Sequence, residues 1–377
     1  MKYTIGIDAS RNRSGGAKVH LVGILNELNP CEFGINEVHV WSYSDLLNML
    51  PEKEWLVKHS PKQLEQSIIK QLFWQKFLFS KELKKYNCDV VLNTDAGTVG
   101  RFKPSVTMSR DMLSYEAGEI DRYKYSKSWV RLFLLKYMQN KSFRVASGVI
   151  FLTNYASSII QQSCGKLNEV ISIPHGVSDT FKNKNIRNKW PYIEGEEIKC
   201  LYVSNSAPYK HQWSVIRAIH KLRNDGWNLS LTLAGAKDQA FDLVEEAMKE
   251  CSGNEFVELL DHVPSKKLPD LLASANLFIF ASSCENMPNT LVEAMSVGLP
   301  IACSERGPMP EVLEDNGVYF DPENIDTIVN SLEKIISDRS FAKNIADKAK
   351  VKSLRYSWKR CSKETFDYLI KILERNQ

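Results

Sequence analysis

Short runs of β-branched and aliphatic residues alternate along the chain with longer stretches whose apolar positions recur every three to four residues. In the first half, residues 3–7, 37–41, 90–93, 106–108 and 148–152 read as buried strands. Between them, 17–29, 62–86 and 122–144 have helical spacing. The alternation restarts later. Strands are predicted at 199–204, 229–234, 256–259, 277–281, 301–303 and 318–320, with helices at 210–225, 241–251, 289–297, 325–337 and 341–353. Strands alternating with helices specify parallel sheets covered on both faces. The segment 173–197 holds IPHGV, KNKN and EGEE, is poorly periodic, and reads as a linker. The expected fold is therefore α/β, with two Rossmann-like domains whose parallel sheets face a central cleft. The domains are set at 1–178 and 179–360, with a C-terminal helix in 361–377 crossing back to the first. Ligands of such sheets bind at the carboxyl ends of the strands, so the chemistry is sought in the loops that follow them.

Composition narrows the class. With 377 residues, 43% apolar and 25% charged, the chain is no disordered tail, collagen or disulfide-rich miniprotein. Its net charge of +4 hides an asymmetry: residues 1–180 carry +6 and the remainder −2. An anionic surface would therefore meet the first half. No apolar run nears the ~20 residues that span a bilayer. The opening MKYTIGIDAS reads as a strand rather than a secretory leader. The eight cysteines form no CxxC pair and have no histidine at metal spacing. Reduced thiols, a cytoplasmic location and no metal are expected.

The segment FASSCENMPNTLVEAMSVGLP, from Phe280 to Pro300, carries the strongest chemical signal. A strand ends, a loop presents Glu285, and Pro288 and Asn289 open a helix that Gly298 and Pro300 close. The amides of Asn289, Thr290 and Leu291 form an anion site aided by the helix dipole. Glu285 before the helix and Glu293 one turn inside it would repel an anion, unless each accepts hydrogen bonds from sugar hydroxyls. A diphosphate on the amides with a sugar on either flank satisfies both conditions.

Glu285 and Glu293 are spaced as in the E-x7-E motif of retaining glycosyltransferases, and the segment resembles glycosyltransferase family 4, of the GT-B fold. Other marks agree: Gly15-Gly16 after the first strand, Ile173-Pro174-His175-Gly176-Val177 at the domain junction, Lys210, and Gly307-Pro308-x-Pro310-Glu311. The resemblance implies that Glu285 holds donor-sugar hydroxyls and Glu293 the ribose. It implies that the three amides and Lys210 hold the diphosphate, with Ser204 and Asn205 beside it. Gly15 and Gly16 would let the backbone approach the donor and acceptor. One departure stands out: many relatives have Gly-Arg before the lysine, where this chain reads Val203-Ser204-Asn205-Ser206-Ala207-Pro208-Tyr209-Lys210. Hydroxyls and amides replace the arginine, or a cation arrives from the other domain. Arg110, with Asp111 and Glu116 nearby, is the candidate; the plain alternative is a surface loop with an adjacent charge pair. His175 reads as a hinge residue, His20 as packed or solvated, and Cys284 as pocket lining.

From Arg122 to Arg144 the chain has seven basic residues, no acidic one and six aromatics. Trp129, Phe133 and Tyr137 share one helix face. The preferred reading packs that face on the sheet; the other rests a basic amphipathic helix on anionic lipid. The stretch 62–86 poses the same choice. No nucleic-acid module is visible.

The family implies a metal-independent front-face displacement that retains configuration. The wording of the Glu285 and Gly307 segments is similar to bacterial O-antigen and capsular enzymes, so a GDP-mannose donor is favoured over a UDP-sugar or dTDP-rhamnose. The acceptor is taken as a lipid-linked saccharide at the inner membrane face. The alternatives are a non-transferring enzyme of this fold and a silent nucleotide-sugar-binding partner of a polysaccharide complex.

Overall fold

The computed structural model describes residues 3–13, 15–184 and 195–377. It divides into two compact units. One comprises Met1–Gly176 with Ser357–Gln377, the other Val177–Tyr356. Part of the segment 173–197 that reads as a linker, residues 185–194, lies outside the described residues.

The first unit is built on strands β1 (Tyr3–Asp8), β2 (Ile35–Trp41), β3 (Leu56–His59), β4 (Val90–Asn93), β5 (Ser105–Met108), β6 (Gly148–Phe151) and β7 (Val170–Ser172). They hydrogen-bond in the order β3-β2-β1-β4-β5-β6-β7, every pair parallel. The second unit has β8 (Ile198–Val203), β9 (Leu229–Ala234), β10 (Val257–Leu260), β11 (Leu277–Phe280), β12 (Ile301–Ser304) and β13 (Val318–Phe320). Their order is β10-β9-β8-β11-β12-β13, again all parallel. In both sheets the strand order reverses beside the first strand, which opens a crevice above its carboxyl end.

The central strands β4, β5, β6, β11 and β12 are buried along their whole length. That is why they read as mostly apolar runs rather than as strict alternations, with the polar residues among them (Asn93, Ser105, Thr107 and Ser304) also buried. The edge strands β3 and β7 have one buried residue between them, Leu56. Neither carries the periodic signal that the central strands do, and neither is expected from the sequence.

Three expectations need correction. The stretch 62–86 is not one helix. It comprises a 3-10 turn Lys62–Glu65 and two helices, Ile68–Phe77 and Phe79–Lys85, broken at Leu78. After the break, Phe79 sits between Trp74 and Trp41, with ring centroids 4.8 Å (Trp74–Phe79) and 5.3 Å (Trp41–Phe79) apart in one core cluster. Core packing outweighs helix continuity here. Gly15 and Gly16 do not lie in a loop but open the helix Gly15–Glu27. Finally, the helix within 122–144 is Lys127–Val145, capped by Ser126, whose hydroxyl accepts from the Trp129 amide at 3.2 Å. Its buried face is Leu132, Gln139, Ser142 and Phe143. The aromatic stripe Trp129, Phe133 and Tyr137 is exposed, so the preferred packing reading fails.

The last helix, Trp358–Glu374, packs in the first unit against Gly15–Glu27. Ser362 Oγ donates to the Ile24 carbonyl at 2.7 Å, and the Trp358 ring lies over Gly23.

Candidate functional site

In the second unit the crevice lies between β8 and β11, and the loops after these two strands converge there. The loop after β8 ends in a 3-10 turn, Pro208–Lys210, before the helix Gln212–Asn224. The loop after β11 runs from Ala281 to Pro288 before the helix Asn289–Val297. Backbone and side chains lock them together. The Ser283 amide donates to the Tyr209 carbonyl at 2.9 Å, and His211 Nε2 lies 2.9 Å from Ser283 Oγ. Tyr202 Oη donates to the Lys210 carbonyl at 2.8 Å.

This lock brings Lys210 and Glu285 into a direct ion pair, with 11% and 16% of their side chains exposed. The Lys210 ammonium also sits 5.1 Å from the Tyr209 ring centroid and 5.5 Å from that of Phe280. A pair so shielded has lost hydration, and separating it would leave two uncompensated charges unless an anion takes the lysine and hydroxyls take the carboxylate. Each partner is thus a ready receptor: the lysine for phosphate, the carboxylate for hydroxyls.

The helix Asn289–Val297 supplies two free amides rather than the expected three. The Asn289 N–H donates to the Met287 carbonyl at 3.0 Å, while among the described residues Thr290 and Leu291 N–H find no acceptor. The first intrahelical bond runs from Val292 to the Pro288 carbonyl. Glu293, one turn further, has no hydrogen-bond partner among the described residues, and burial pushes its carboxyl up to about 8. A carboxyl held neutral in this way gains most from hydroxyl donors that favour its ionised form.

Ser204 and Asn205 are less free. Gln212 Nε2 donates to the Ser204 carbonyl at 2.9 Å and to its Oγ at 3.0 Å; Asn205 Nδ2 donates to Asp238 Oδ2 at 2.5 Å. Their loop lies so close to Gly235 that a Cβ there would collide with the Ser204 carbonyl, and Gly235 has φ +154°. Gly307, at φ +60°, would place a Cβ 3.8 Å from the Glu285 amide, so the GPMPE turn borders the site. Sequence reasoning does not find His211, Ser283 or Gly235. The His211–Ser283 hydrogen bond spans 72 residues, and no local spacing announces such a contact.

In the first unit, the loop after β1 is held by a buried carboxylate. Asp8 accepts from Ser10 N at 3.0 Å, Ser10 Oγ at 2.6 Å and Gln75 Nε2 at 2.7 Å. Nearby, Arg110 does not form the adjacent surface charge pair. Its Nη2 donates to His20 Nδ1 at 2.5 Å, while Nε and Nη1 are buried with no partner among the described residues. Burial lowers Arg110 to about 10. Burial first, then Arg110 and His175, holds His20 well below its usual value, so its ring is a neutral acceptor. Asp111 accepts from the Leu113 amide at 3.1 Å, and burial raises its carboxyl. His175 lies against His20 with ring centroids 4.6 Å apart and planes tilted by 32°.

All eight cysteines are free thiols. Among the described residues no group of three or more His, Cys, Asp or Glu stands where a metal ion could be held, and no helix is long and apolar enough to cross a membrane.

Residues 183–352 match the family model for glycosyl transferases group 1, a span that includes Ser204, Lys210, Glu285, Thr290 and Glu293. The O-antigen chain mannosyltransferase B of Escherichia coli is 26% identical over 168 residues, covering 44% of each chain. The chain spans about half the length of the curated relatives it matches. Among solved structures, a glycosyltransferase from Rickettsia africae aligns over 99% of both chains with a TM-score of 0.73 at 16% identity. Anabaena HepE, solved in complex with UDP, aligns over 98% of this chain and 100% of its own, with a TM-score of 0.72 at 17% identity. These likenesses establish the fold as that of two Rossmann-like domains shared with GT-B glycosyltransferases.

Proposed function

We propose that this chain, whose residues 183–352 match the family model for glycosyl transferases group 1, moves a hexose from a nucleotide-diphosphate sugar to a saccharide with retention of configuration. The observation that carries the reading is the meeting of Lys210 with Glu285 beside the free Thr290 and Leu291 amides, one turn from Glu293. Incoming diphosphate takes Lys210 and the two amides. Glu285, released from its lysine, accepts the sugar hydroxyls, and Glu293 accepts those of the ribose. Lys210 and the amide dipoles offset the charge that develops on the leaving diphosphate, so the reading carries no metal.

No carboxylate is left to act as nucleophile, because Glu285 is occupied by hydroxyls. The acceptor oxygen therefore attacks the anomeric carbon on the face the diphosphate leaves. The carbon–oxygen bond to the diphosphate breaks as the new glycosidic bond forms, and the acceptor proton passes to the departing phosphate oxygen. The likeness to O-antigen mannosyltransferase B favours GDP-mannose as donor and a lipid-linked glycan of bacterial surface polysaccharide as acceptor, worked on at the cytoplasmic membrane face. Arg110, two of whose guanidinium nitrogens have no partner among the described residues, is assigned an anionic group of the substrates, with Asp111 next to it in the chain.

A thermal-shift screen of GDP-, UDP- and dTDP-sugars, followed by mass spectrometry of products with glycolipid acceptors, tests the reading. Stabilisation by GDP-mannose and a product heavier by one hexose support it. Stabilisation by a UDP-sugar alone replaces the donor. Donor turnover to an epimer without acceptor overturns transfer.

A further inference from the structure

The first unit carries an apolar surface that its own fold does not cover. On the helix Lys127–Val145, Phe133 is 61% exposed and Tyr137 68%, with Trp129, Val130 and Leu134 also exposed. On the helix Ile68–Phe77, Ile69 is 75% exposed and Phe73 54%, and the Phe73 and Phe77 rings lie 5.0 Å apart. Single exposed apolar side chains are ordinary; a cluster of this size on two neighbouring helices is not. A groove of about 530 Å³ joins them. Lys76 lines it from one helix, Tyr137 and Lys141 from the other, and Arg101, Phe102 and Lys103 from the segment leading into β5.

The charge of this surface chooses its occupant. Neither helix contains an acidic residue, and none lines the groove. The helix Lys127–Val145 alone carries Lys127, Arg131, Lys136, Lys141 and Arg144. A second copy of the chain would set these cations against each other. An anionic bilayer matches both features: aromatic and aliphatic side chains enter the headgroup boundary, and lysines and arginines reach phosphates from their rim.

We propose that the helices Ile68–Phe77 and Lys127–Val145 form one docking surface for an anionic lipid bilayer, with a lipid phosphate seated in the groove among Lys76, Arg101, Lys103 and Lys141. The surface would bring the lipid-linked acceptor of the proposed reaction to the enzyme, and it rests on that reading for its purpose alone. Lipid binding itself requires no transfer.

The full chain is floated with phosphatidylcholine vesicles and with vesicles also containing phosphatidylglycerol, at low and high salt. Flotation is expected with the anionic vesicles, weakening as salt rises. Each basic residue removed from the groove, as in Arg101→Gln or Lys141→Gln, lowers partitioning roughly fivefold. Phe73→Ser with Phe133→Ser abolishes flotation. All four residues are on the surface, and unchanged melting and donor binding confirm that the variants fold. Glu285→Ala floats like the parent, so a failed transfer reading leaves this result standing. Equal flotation with neutral vesicles, or undiminished flotation of the charge variants, overturns the proposal. So does an analytical-ultracentrifugation dimer that Phe133→Ser dissolves, which would assign the surface to a second copy.

Discussion

Glu293 links the proposed site to a measurable pH dependence. Burial raises its carboxyl from 4.5 to about 8, so the folded unit keeps a proton that the unfolded chain has released. Between these values the native state binds more protons than the unfolded state. Stability therefore falls as pH rises through that window and levels off above about 8. The full difference corresponds to a ceiling of roughly 5 kcal/mol; solvent reaching the carboxyl brings the expected loss to about 2–3 kcal/mol. Glu293→Gln keeps the shape and removes the titration. The variant and parent should melt alike near pH 5 and separate steadily up to pH 8. The variant then leads by several degrees, at roughly 2–4 °C per kcal/mol for a unit of this size. Calorimetric melting of both proteins across this range provides the test. In the same window, nucleotide binding to the parent should release a proton, because ribose hydroxyls favour the carboxylate. Titrations in buffers of different ionisation enthalpy read that proton directly. Parallel stability curves for parent and variant would refute the buried, neutral carboxyl, and proton-neutral binding would refute its contact with ribose.

Four further outcomes are expected. Glu285→Ala should abolish transfer yet keep nucleotide affinity within a few-fold, since the diphosphate contacts survive; full activity by product assay removes Glu285 from the mechanism. Lys210→Ala should weaken donor binding about tenfold or more, the size of a charge-assisted hydrogen bond, read by calorimetry. Arg110→Met should leave melting unchanged or slightly raised, because a buried guanidinium with two nitrogens unpartnered among the described residues costs solvation, while transfer falls; a large loss of stability would show that the cation is structural. Gly23→Ala gains up to ~1 kcal/mol in helix propensity but drives a Cβ to 2.6 and 2.8 Å from Trp358 ring carbons. Overpacking at about 1–3 kcal/mol should win and lower the melting temperature.

The fold was legible where burial is two-sided. Strands β4, β5, β6, β11 and β12 announce themselves because all but Asn93 of their residues are apolar or small and every residue is inside. β3 and β7 do not, because an edge strand with solvent on one side leaves no continuous apolar run. The chemical segment was legible for a related reason. Its loop, helix start and two glutamates are contiguous in the chain, so their geometry follows from local rules about helix termini.

What the chain order settles by itself is therefore the two parallel α/β sheets, the anion-binding helix start and the two carboxylates that flank it. Only the tertiary structure decides which groups are already engaged. It pairs Lys210 with Glu285 across 75 residues, gives the Asn289 amide an acceptor, and leaves Thr290 and Leu291 free. It turns Arg110 inward onto His20 and the aromatic stripe of Lys127–Val145 outward. Periodicity shows that a helix has an apolar face. Which way that face points depends on what else must cover the sheet, and in this unit Leu132, Gln139, Ser142 and Phe143 occupy the inner face instead.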